Sequence, residues 1–293
     1  MHSKKISIPF FSIVIPSLNE EHFLPYLISD LAAQTHTNFE VIHVDGNSDD
    51  KTVELVKKEG KNLNLRQLST EIRNVSVQRN MGIEAAKGEW IIFMDADDRI
   101  DPWFLDGLKY RIAQNPKTDL FTTWVNIDSE NTLNQPLEKT INFSLELGKM
   151  IGSEWSFGAL IGVKKEILTK EFYFDDKQKV VEDGIFVKKL IGEGYTFTVF
   201  RDPKYTYSVR RFDAEGTLKM ARTSARMALI YFQGKDFVDT DLGYKMEGGA
   251  RYGQEVQTNI LGYTRLQSFM KKATKKQLKQ ARDLFNYLRK FGL

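Results

Sequence analysis

Short apolar runs alternate with segments of helical periodicity along the first part of the chain. Five such runs predict buried strands, at residues 11–16, 39–44, 65–68, 90–94 and 120–125. Between them, apolar positions recur at four-residue spacing, as at Phe23, Leu27 and Leu31. The intervening helices are expected after Ser17 and at residues 52–58, 75–86 and 103–113. This alternation indicates an α/β fold with a mostly parallel, doubly wound sheet flanked by helices.

Local signals suggest where two of these helices begin and end. Gly88 stands where a C′ glycine would end the helix at residues 75–86. Asp101 and Pro102 supply an N-cap and an N1 proline for the helix at residues 103–113.

The pattern is looser in the second half of the chain. Residues 131–148 are polar and irregular, and predict a loop-rich insertion that faces the ligand-binding edge of the sheet. A helix is expected at residues 182–192 and strands at 196–200 and 204–209. From Thr217 onward the pattern is helical with glycine interruptions. We therefore predict an α/β domain at residues 1–215 and a helical C-terminal extension at residues 216–293.

Composition excludes several classes of protein. The chain has 293 residues, of which 41% are hydrophobic and 28% charged, as in soluble globular domains. Its net charge of +3 gives no indication of nucleic-acid binding. The absence of cysteine excludes disulfides, thiolate metal sites and a cysteine nucleophile. Neither a signal peptide nor an apolar run of membrane-spanning length is present, so a cytoplasmic protein is expected.

Acidic residues follow two of the predicted strands. Asp95 and Asp97 come directly after the most apolar strand and can converge on one Mg²⁺ or Mn²⁺ ion, which prefers such oxygen ligands. The alternative is a plain turn in which Asp98 or Asp101 caps a helix. In parallel sheets, ligands bind beyond the carboxyl ends of the strands, which is where these acids fall.

Asp45 follows the second predicted strand and is a candidate for recognising a nucleobase. A carboxylate there can accept the ring N–H of uracil, thymine or guanine, whereas cytosine and adenine have no matching donor. The alternative is a polar turn in which Asp49 or Asp50 caps the next helix.

A second acidic pair and three arginines complete the set of candidates. Asp183, after Glu182 at a helix start, is either a cap or a general base for an acceptor hydroxyl. Arg210 and Arg211 can clamp a diphosphate through their planar guanidinium groups, or they form a solvated surface pair. Arg79 is a similar candidate.

Four ordered motifs resemble those of family 2 glycosyltransferases with the GT-A fold. Residues 12–21 are similar to the start of that family, and residues 44–52, Val-Asp-Gly-Asn-Ser-Asp-Asp-Lys-Thr, to its next motif. Residues 78–98, which end in the Asp-x-Asp motif, are similar to its central signature. Glu182-Asp183 falls where the family has an acidic pair, so the resemblance covers roughly residues 10–215.

This resemblance implies an inverting transfer of a sugar from a nucleotide-diphosphate donor, with UDP favoured. Asp45 would bind the base, Asp95 would contact the ribose and metal region, and Asp97 would bind Mn²⁺ or Mg²⁺. Asp183 would deprotonate the acceptor hydroxyl. The other positions implied in donor binding are Pro16, Leu18, Glu20, Arg79, Arg210 and Arg211. The acceptor would be a saccharide or a lipid-linked molecule used in surface polysaccharide or glycolipid synthesis.

The C-terminal segment combines an apolar stripe with basic residues. From residue 271 onward Asp283 is the only acid, and the lysines and arginines flank apolar positions at helical spacing. Such a helix either packs on the catalytic domain or lies on the anionic lipid surface at the inner face of the cell membrane.

Two other functions use the same fold. If the chain were a sugar nucleotidyltransferase, a glycine-rich loop with a basic residue would follow the first strand. This chain has Ser17-Leu-Asn-Glu-Glu there, which argues against that function. If the chain were a non-catalytic nucleotide-binding or scaffold protein, the candidate acidic residues would be expected to be lost. All four are present: Asp45, Asp95, Asp97 and Asp183.

Overall fold

A computed structural model describes residues 8–127, 135–151, 156, 159–178, 180–232, 237–238 and 248–249. These residues fall into two units. The first contains the described residues up to Val209 together with Gly248 and Gly249, and the second contains those from Arg210 to Val238. The predicted division at residue 215 stays a prediction.

Seven strands form one sheet in the first unit. They are β1 (Phe11–Ser17), β2 (Phe39–Asp45), β3 (Leu65–Ser69), β4 (Trp90–Met94), β5 (Leu120–Ile127), β6 (Leu160–Lys164) and β7 (Phe197–Tyr207). Their order across the sheet is β3-β2-β1-β4-β6-β5-β7. Among the described strands, only β6 runs antiparallel to its neighbours, so the predicted mostly parallel sheet is confirmed.

The topology brings the ends of β1, β2 and β4 to one edge. β1 lies between β2 and β4 and is parallel to both, with Ser17 paired to Asp45. Asp95 follows β4 on the same edge. This reversal of strand order, with β2 on one side of β1 and β4 on the other, is where doubly wound sheets bind ligands.

Helices cover both faces of the sheet. In the first unit they are α1 (Leu24–Ala32), α2 (Thr52–Glu59), α3 (Val75–Ala85), α4 (Phe104–Gln114), α5 (Gln135–Ile151) and α6 (Glu182–Gly192). Side chains alternate along β1, so that Ile13 and Ile15 join one apolar core and Val14 joins another. The first core includes α1, α2 and α4, and the second includes α3 and α6.

The expectation of a loop-rich insertion at residues 131–148 is wrong where the structure describes it. Helix α5 occupies Gln135–Ile151. Ile141 and Leu145, one turn apart, are buried, which is the helical pattern hidden among the polar residues. Asn142 fastens the helix to β5 through hydrogen bonds with the amide and carbonyl of Val125, at 2.8 and 2.9 Å.

Two predicted element boundaries are also corrected. The separate strands predicted at residues 196–200 and 204–209 form one strand, β7. Helix α4 starts at Phe104 without a side-chain cap from Asp101. Instead the side chain of Gln34 accepts the N–H of Leu105 at 3.0 Å, so a residue distant in sequence satisfies this helix start.

Gly88 serves a different purpose from the predicted C′ position. Helix α3 ends at Ala85, and its C-cap residue Ala86 is extended. A Cβ atom at Gly88 would lie 2.7 Å from the backbone of Phe11 and Ser12. The glycine therefore permits close approach to β1.

The second unit contains two described helices, α7 (Arg210–Glu215) and α8 (Thr217–Phe232). The helical prediction is confirmed for α8, whereas the basic C-terminal segment lies outside the described residues. Among the described helices, none combines the length and apolarity needed to span a membrane.

Gly82 provides a test of the packing of α3 on the sheet. A Cβ atom there would lie 2.2 Å from Cγ1 of Val14, which is fully buried. We expect Gly82→Ala to lower the free energy of unfolding by about 1–3 kcal/mol in urea titrations, because the overlap forces a shift of the helix or the strand. The matched control is Gly192→Ala, where a Cβ atom meets nothing within 4 Å. Equal stability of the two variants would contradict this packing.

Candidate active site

The loops after β1 and β2 are locked together at the carboxyl edge of the sheet. The amide of Asn19 donates to Ser48 Oγ at 2.9 Å, and the Asn19 side chain accepts the amide of Asp49 at 2.8 Å. Asn19 adopts a positive φ of 54°, which asparagine tolerates better than most residues. These contacts hold two loops in one arrangement.

Asp50 is the aspartate that fixes the start of α2. Its side chain accepts the amide of Thr52 at 2.9 Å and the amide of Glu21 at 3.1 Å. The expectation that Asp49 or Asp50 caps the next helix is nevertheless wrong, because the N-cap residue is Lys51 and the helix has no side-chain cap.

Asp45 ends β2 and is almost fully buried, with 4% of its surface exposed. Oδ2 accepts the amide of Ser48 at 2.9 Å. Oδ1 accepts the hydroxyl of Ser48 at 2.6 Å and that of Ser17 at 3.4 Å. The carboxylate thus has one orientation.

The other predicted pocket residues surround the same loop. Pro16 is a buried residue of β1, Leu18 is half-buried and Glu20 is buried. The amide of Glu20 donates to Thr52 Oγ1 at 2.7 Å. Their donor-binding role stays a prediction.

A glycine pair distant in sequence lies against this loop. The amide of Gly249 donates to the carbonyl of Leu18 at 3.0 Å. At Gly248, whose φ is +70°, a Cβ atom would lie 2.1 Å from the same carbonyl oxygen. Glycine is required there by both space and backbone conformation.

The turn after β4 presents the Asp-x-Asp motif. The amide of Asp95 donates to the buried carboxylate of Asp98 at 3.1 Å, which closes the turn. Asp95 keeps 36% of its side chain exposed, and Asp97 is half-buried. Asp98 thereby orients the backbone that carries both predicted metal ligands.

Arg79 joins this turn to the start of α6. Arg79 is buried, with 3% of its surface exposed. Its guanidinium donates to Glu182 Oε1 at 2.8 Å and to Asp95 Oδ1 at 3.2 Å. It also lies over the ring of Phe174, 5.2 Å from the centroid. The predicted donor-binding arginine is therefore engaged by acids from two elements.

Two carboxyl groups near Arg79 hold their protons more tightly than usual. Burial, reinforced by the charge of Glu182, raises the pKa of Asp183 to about 7, although Arg79 opposes the rise. Burial raises the pKa of Asp95 to about 6, again opposed by Arg79 and reinforced by Asp97. A carboxyl group with a pKa near 7 suits general base catalysis at neutral pH.

The residue before this acidic pair has an unusual backbone. Val181 precedes α6 with a φ of 61°. A β-branched residue is strained in that conformation, and such strain is concentrated at functional sites. The Asp183 side chain accepts the adjacent amide of Gly184 at 2.7 Å.

The remaining predicted residues are the two arginines of the second unit. Arg210 and Arg211 open α7 and are half-buried. Their role as a diphosphate clamp stays a prediction.

The acids after β4 suit a cation that shares its ligands with a substrate. Among the described residues, no group of three or more His, Asp or Glu side chains is arranged to hold a metal. Mg²⁺ and similar ions are commonly held by one or two carboxylates, with water and phosphate oxygens as the other ligands. Asp95 and Asp97 match that smaller set.

Sequence reasoning missed several residues that shape the site. Gln78 of α3 is buried and donates to the carbonyls of Ser17 and Val44 at 2.7 and 2.8 Å, which ties the ends of β1 and β2 together. The polar residues Ser17 and His43 are fully or almost fully buried within strands. A polar residue in an apolar strand was the available signal, since buried polar groups need partners.

Comparison with known proteins identifies the family. The model of the family described as Glycosyl transferase family 2 matches residues 12–174. The poly(ribitol-phosphate) beta-N-acetylglucosaminyltransferase TarS of Staphylococcus aureus is 28% identical over 207 residues, which cover 69% of this chain and 36% of TarS. The chain thus spans about a third of that relative's length.

Solved structures share the fold. The structure of S. aureus TarS 1–349 in complex with UDP has a TM-score of 0.57 and 24% identity, covering 68% of this chain and 60% of that one. A mannosyltransferase from Pyrobaculum calidifontis, in complex with GDP-Man and Mn²⁺, has a TM-score of 0.60 and 19% identity, covering 74% and 62%. The expected GT-A fold is confirmed.

Replacing Arg79 tests the buried ion pairs. We expect Arg79→Met to lower the free energy of unfolding by about 3–5 kcal/mol, because Glu182 would stay buried without its cation. Urea titration measures the loss, and adding Glu182→Gln should recover part of it. The control is Arg99→Met, which removes an arginine 47% exposed from its pair with Asp30 and should cost about 1 kcal/mol or less. Similar losses for Arg79→Met and Arg99→Met would contradict the assignment.

The raised pKa of Asp183 predicts a pH-dependent stability. Its pKa is about 7 when folded, against about 3.9 for an unfolded aspartate. Between those values the folded state holds a proton that the unfolded state has lost, so the free energy of unfolding falls as pH rises. Asp183→Asn removes this titration and keeps an acceptor for Gly184. In urea titrations, the free energy of unfolding of the variant should rise relative to that of wild type between about pH 4 and about pH 7. A difference in free energy that stays constant over this range would refute the raised pKa of Asp183.

Proposed function

The chain belongs to glycosyl transferase family 2, and we propose that it is an inverting glycosyltransferase that uses a nucleotide-diphosphate sugar, with UDP favoured. The observation that carries the proposal is the buried Arg79, which pairs with Asp95 beside the proposed metal ligand and with Glu182 beside the proposed base. The Arg79 guanidinium would thereby link the acids of the donor site to those of the acceptor site.

The donor would bind at the carboxyl edge of the sheet. Asp45 would accept the ring N–H of the base, and Pro16, Leu18 and Glu20 would line the pocket. The contacts of Asn19 with Ser48 and Asp49 support this, because they hold both loops in one arrangement. Arg79 would act beside the donor by holding Asp95 in position.

Asp97 and Asp95 would hold Mn²⁺ or Mg²⁺, which would supply positive charge to the diphosphate leaving group. Arg210 or Arg211 would contribute the planar, bidentate contacts that suit phosphate oxygens. Charge stabilisation of this kind assists departure of the diphosphate.

Asp183 would act as the general base. It would take the proton of an acceptor hydroxyl whose oxygen attacks the anomeric carbon as the bond to the diphosphate breaks. Attack from the face opposite the leaving group inverts the configuration. The pKa of about 7 supports this role, because the group can both accept and release a proton near neutrality.

The acceptor would be a saccharide or a lipid-linked molecule of surface polysaccharide or glycolipid synthesis. The similarity to TarS, a poly(ribitol-phosphate) beta-N-acetylglucosaminyltransferase, supports a polymeric acceptor. The proposed location is the cytoplasm, with the basic C-terminal segment in peripheral contact with anionic lipid at the inner face of the membrane. No nucleic-acid partner is proposed.

A non-catalytic nucleotide-binding protein is the second candidate, and a sugar nucleotidyltransferase the third. The elevated pKa of Asp183 favours glycosyl transfer over both, since neither alternative uses a base at that position.

Thermal-shift titration of UDP, GDP and dTDP, each with and without Mn²⁺, tests the donor site. A nucleotide at about 100 times its Kd adds about 2.7 kcal/mol of stability. We expect a metal-dependent rise in Tm for wild type that Asp97→Asn loses, because one metal ligand is removed. The exposed Asp101 provides the control Asp101→Asn, which should keep the rise. Absence of a shift with any nucleotide would refute the proposed donor site.

A further inference from the structure

A chain of polar side chains, which begins at the half-buried Gln67 of β3, leads to Asp45. Gln67 Nε2 lies 3.3 Å from His43 Nδ1, and His43 Nε2 lies 2.7 Å from Ser17 Oγ. Ser17 Oγ lies 3.4 Å from Asp45 Oδ1. His43 is fully buried, and Ser17 and Asp45 are 5% and 4% exposed. These four side chains are called the Asp45 relay below.

The contacts of Gln67 determine the direction of every hydrogen bond in the relay. Gln67 Nε2 also donates to the carbonyl of Val53 at 3.1 Å, which identifies that end of the side chain as the amide N–H₂ group. Its second N–H therefore points to His43 Nδ1, which must accept.

A neutral histidine that accepts at Nδ1 carries its proton on Nε2. Burial lowers the pKa of His43 to about 4, an effect that the charge of Asp45 only partly opposes, so the ring is neutral near pH 7. His43 then donates to Ser17 Oγ, and the Ser17 hydroxyl proton is directed to Asp45 Oδ1.

The relay leaves Asp45 with one orientation and one open acceptor position. A carboxylate offers about four acceptor positions. Ser17 and Ser48 fill both positions of Oδ1, and the amide of Ser48 fills one of Oδ2. The remaining position on Oδ2 has no hydrogen-bond donor among the described residues. A histidine–serine pair is also found in hydrolases, but there the acid binds the histidine, whereas here Asp45 binds the serine.

We propose that His43 and Ser17 are specificity-determining positioning residues, which hold the Asp45 carboxylate in one orientation with one acceptor position open, and so select nucleoside diphosphates whose base has a ring N–H donor. The inference rests on the proposed function. Uracil presents its N3–H donor to such an acceptor. Cytosine has no hydrogen on N3, so its N3 lone pair would face the Asp45 carboxylate oxygen and no hydrogen bond could form. Rejection is strong when a buried polar group would be left unpaired.

Calorimetric titration of UDP and CDP in the presence of Mn²⁺ tests the proposal. Wild type should bind UDP more tightly than CDP. Ser17→Ala and His43→Leu should reduce the ratio of the two affinities by about threefold to tenfold, the worth of one hydrogen bond. His43→Gln, which can place an N–H near the position of Nε2, should keep more of the ratio than His43→Leu.

Thr122→Val is the matched control. It removes another fully buried hydroxyl, one that donates to the carbonyl of Leu160 at 2.8 Å outside the relay, and should leave the ratio unchanged. An unchanged ratio in both Ser17→Ala and His43→Leu would overturn the relay while leaving the proposed function intact. Failure of wild type to bind any nucleoside diphosphate would overturn both.

The tautomer of His43 gives a readout that needs no nucleotide. The chain has four histidines, so the His43 ring signals in ¹⁵N NMR can be assigned by their loss in His43→Gln. The proton should reside on Nε2 at pH 7, with Nδ1 as the acceptor. A proton on Nδ1 would reverse the hydrogen bonds and overturn the relay.

Discussion

The candidate site depends on the ion pairs of a single buried guanidinium. Arg79 extends from α3 and meets Asp95 after β4 and Glu182 at the start of α6. Burying a charge is costly unless opposite charges and hydrogen bonds offset the loss of water. The buried Glu182 therefore requires the arginine, and the buried arginine requires its acidic partners. This mutual dependence fixes the distance between two segments far apart in sequence.

The surrounding loops divide the site into two parts with different chemistry. Around Asp45, hydrogen bonds occupy nearly every acceptor and favour one rigid orientation, as recognition of a base requires. Around Asp183, burial and neighbouring carboxylates raise the pKa toward neutrality, as proton transfer requires. In the proposed function, the rigid polar contacts around Asp45 would serve selection of the base, and the incomplete charge compensation around Asp183 would serve catalysis. Arg79 pairs with Glu182, the neighbour of Asp183 in sequence, and with Asp95.

Sequence reasoning could predict what depends on local pattern. The strands were recognisable by their apolar runs, and Asp45 and Asp95 by their position directly after two of them. Helix α5 was missed because its buried residues are diluted by polar ones, and the cap of α4 because Gln34 is distant in sequence. The partners of Arg79 were also beyond prediction, since 103 positions separate it from Glu182. Such pairings arise only from the tertiary fold.

We propose that donor, metal and base share one site organised by Arg79. A crystal structure with a UDP-sugar and Mn²⁺, with data collected at the manganese absorption edge, would show whether they do. We expect an anomalous peak at coordination distance from Asp97, the uracil ring on Asp45, and Arg79 still paired with Glu182. A nucleotide bound away from these acids, or one bound there after Arg79 has left Glu182, would contradict it.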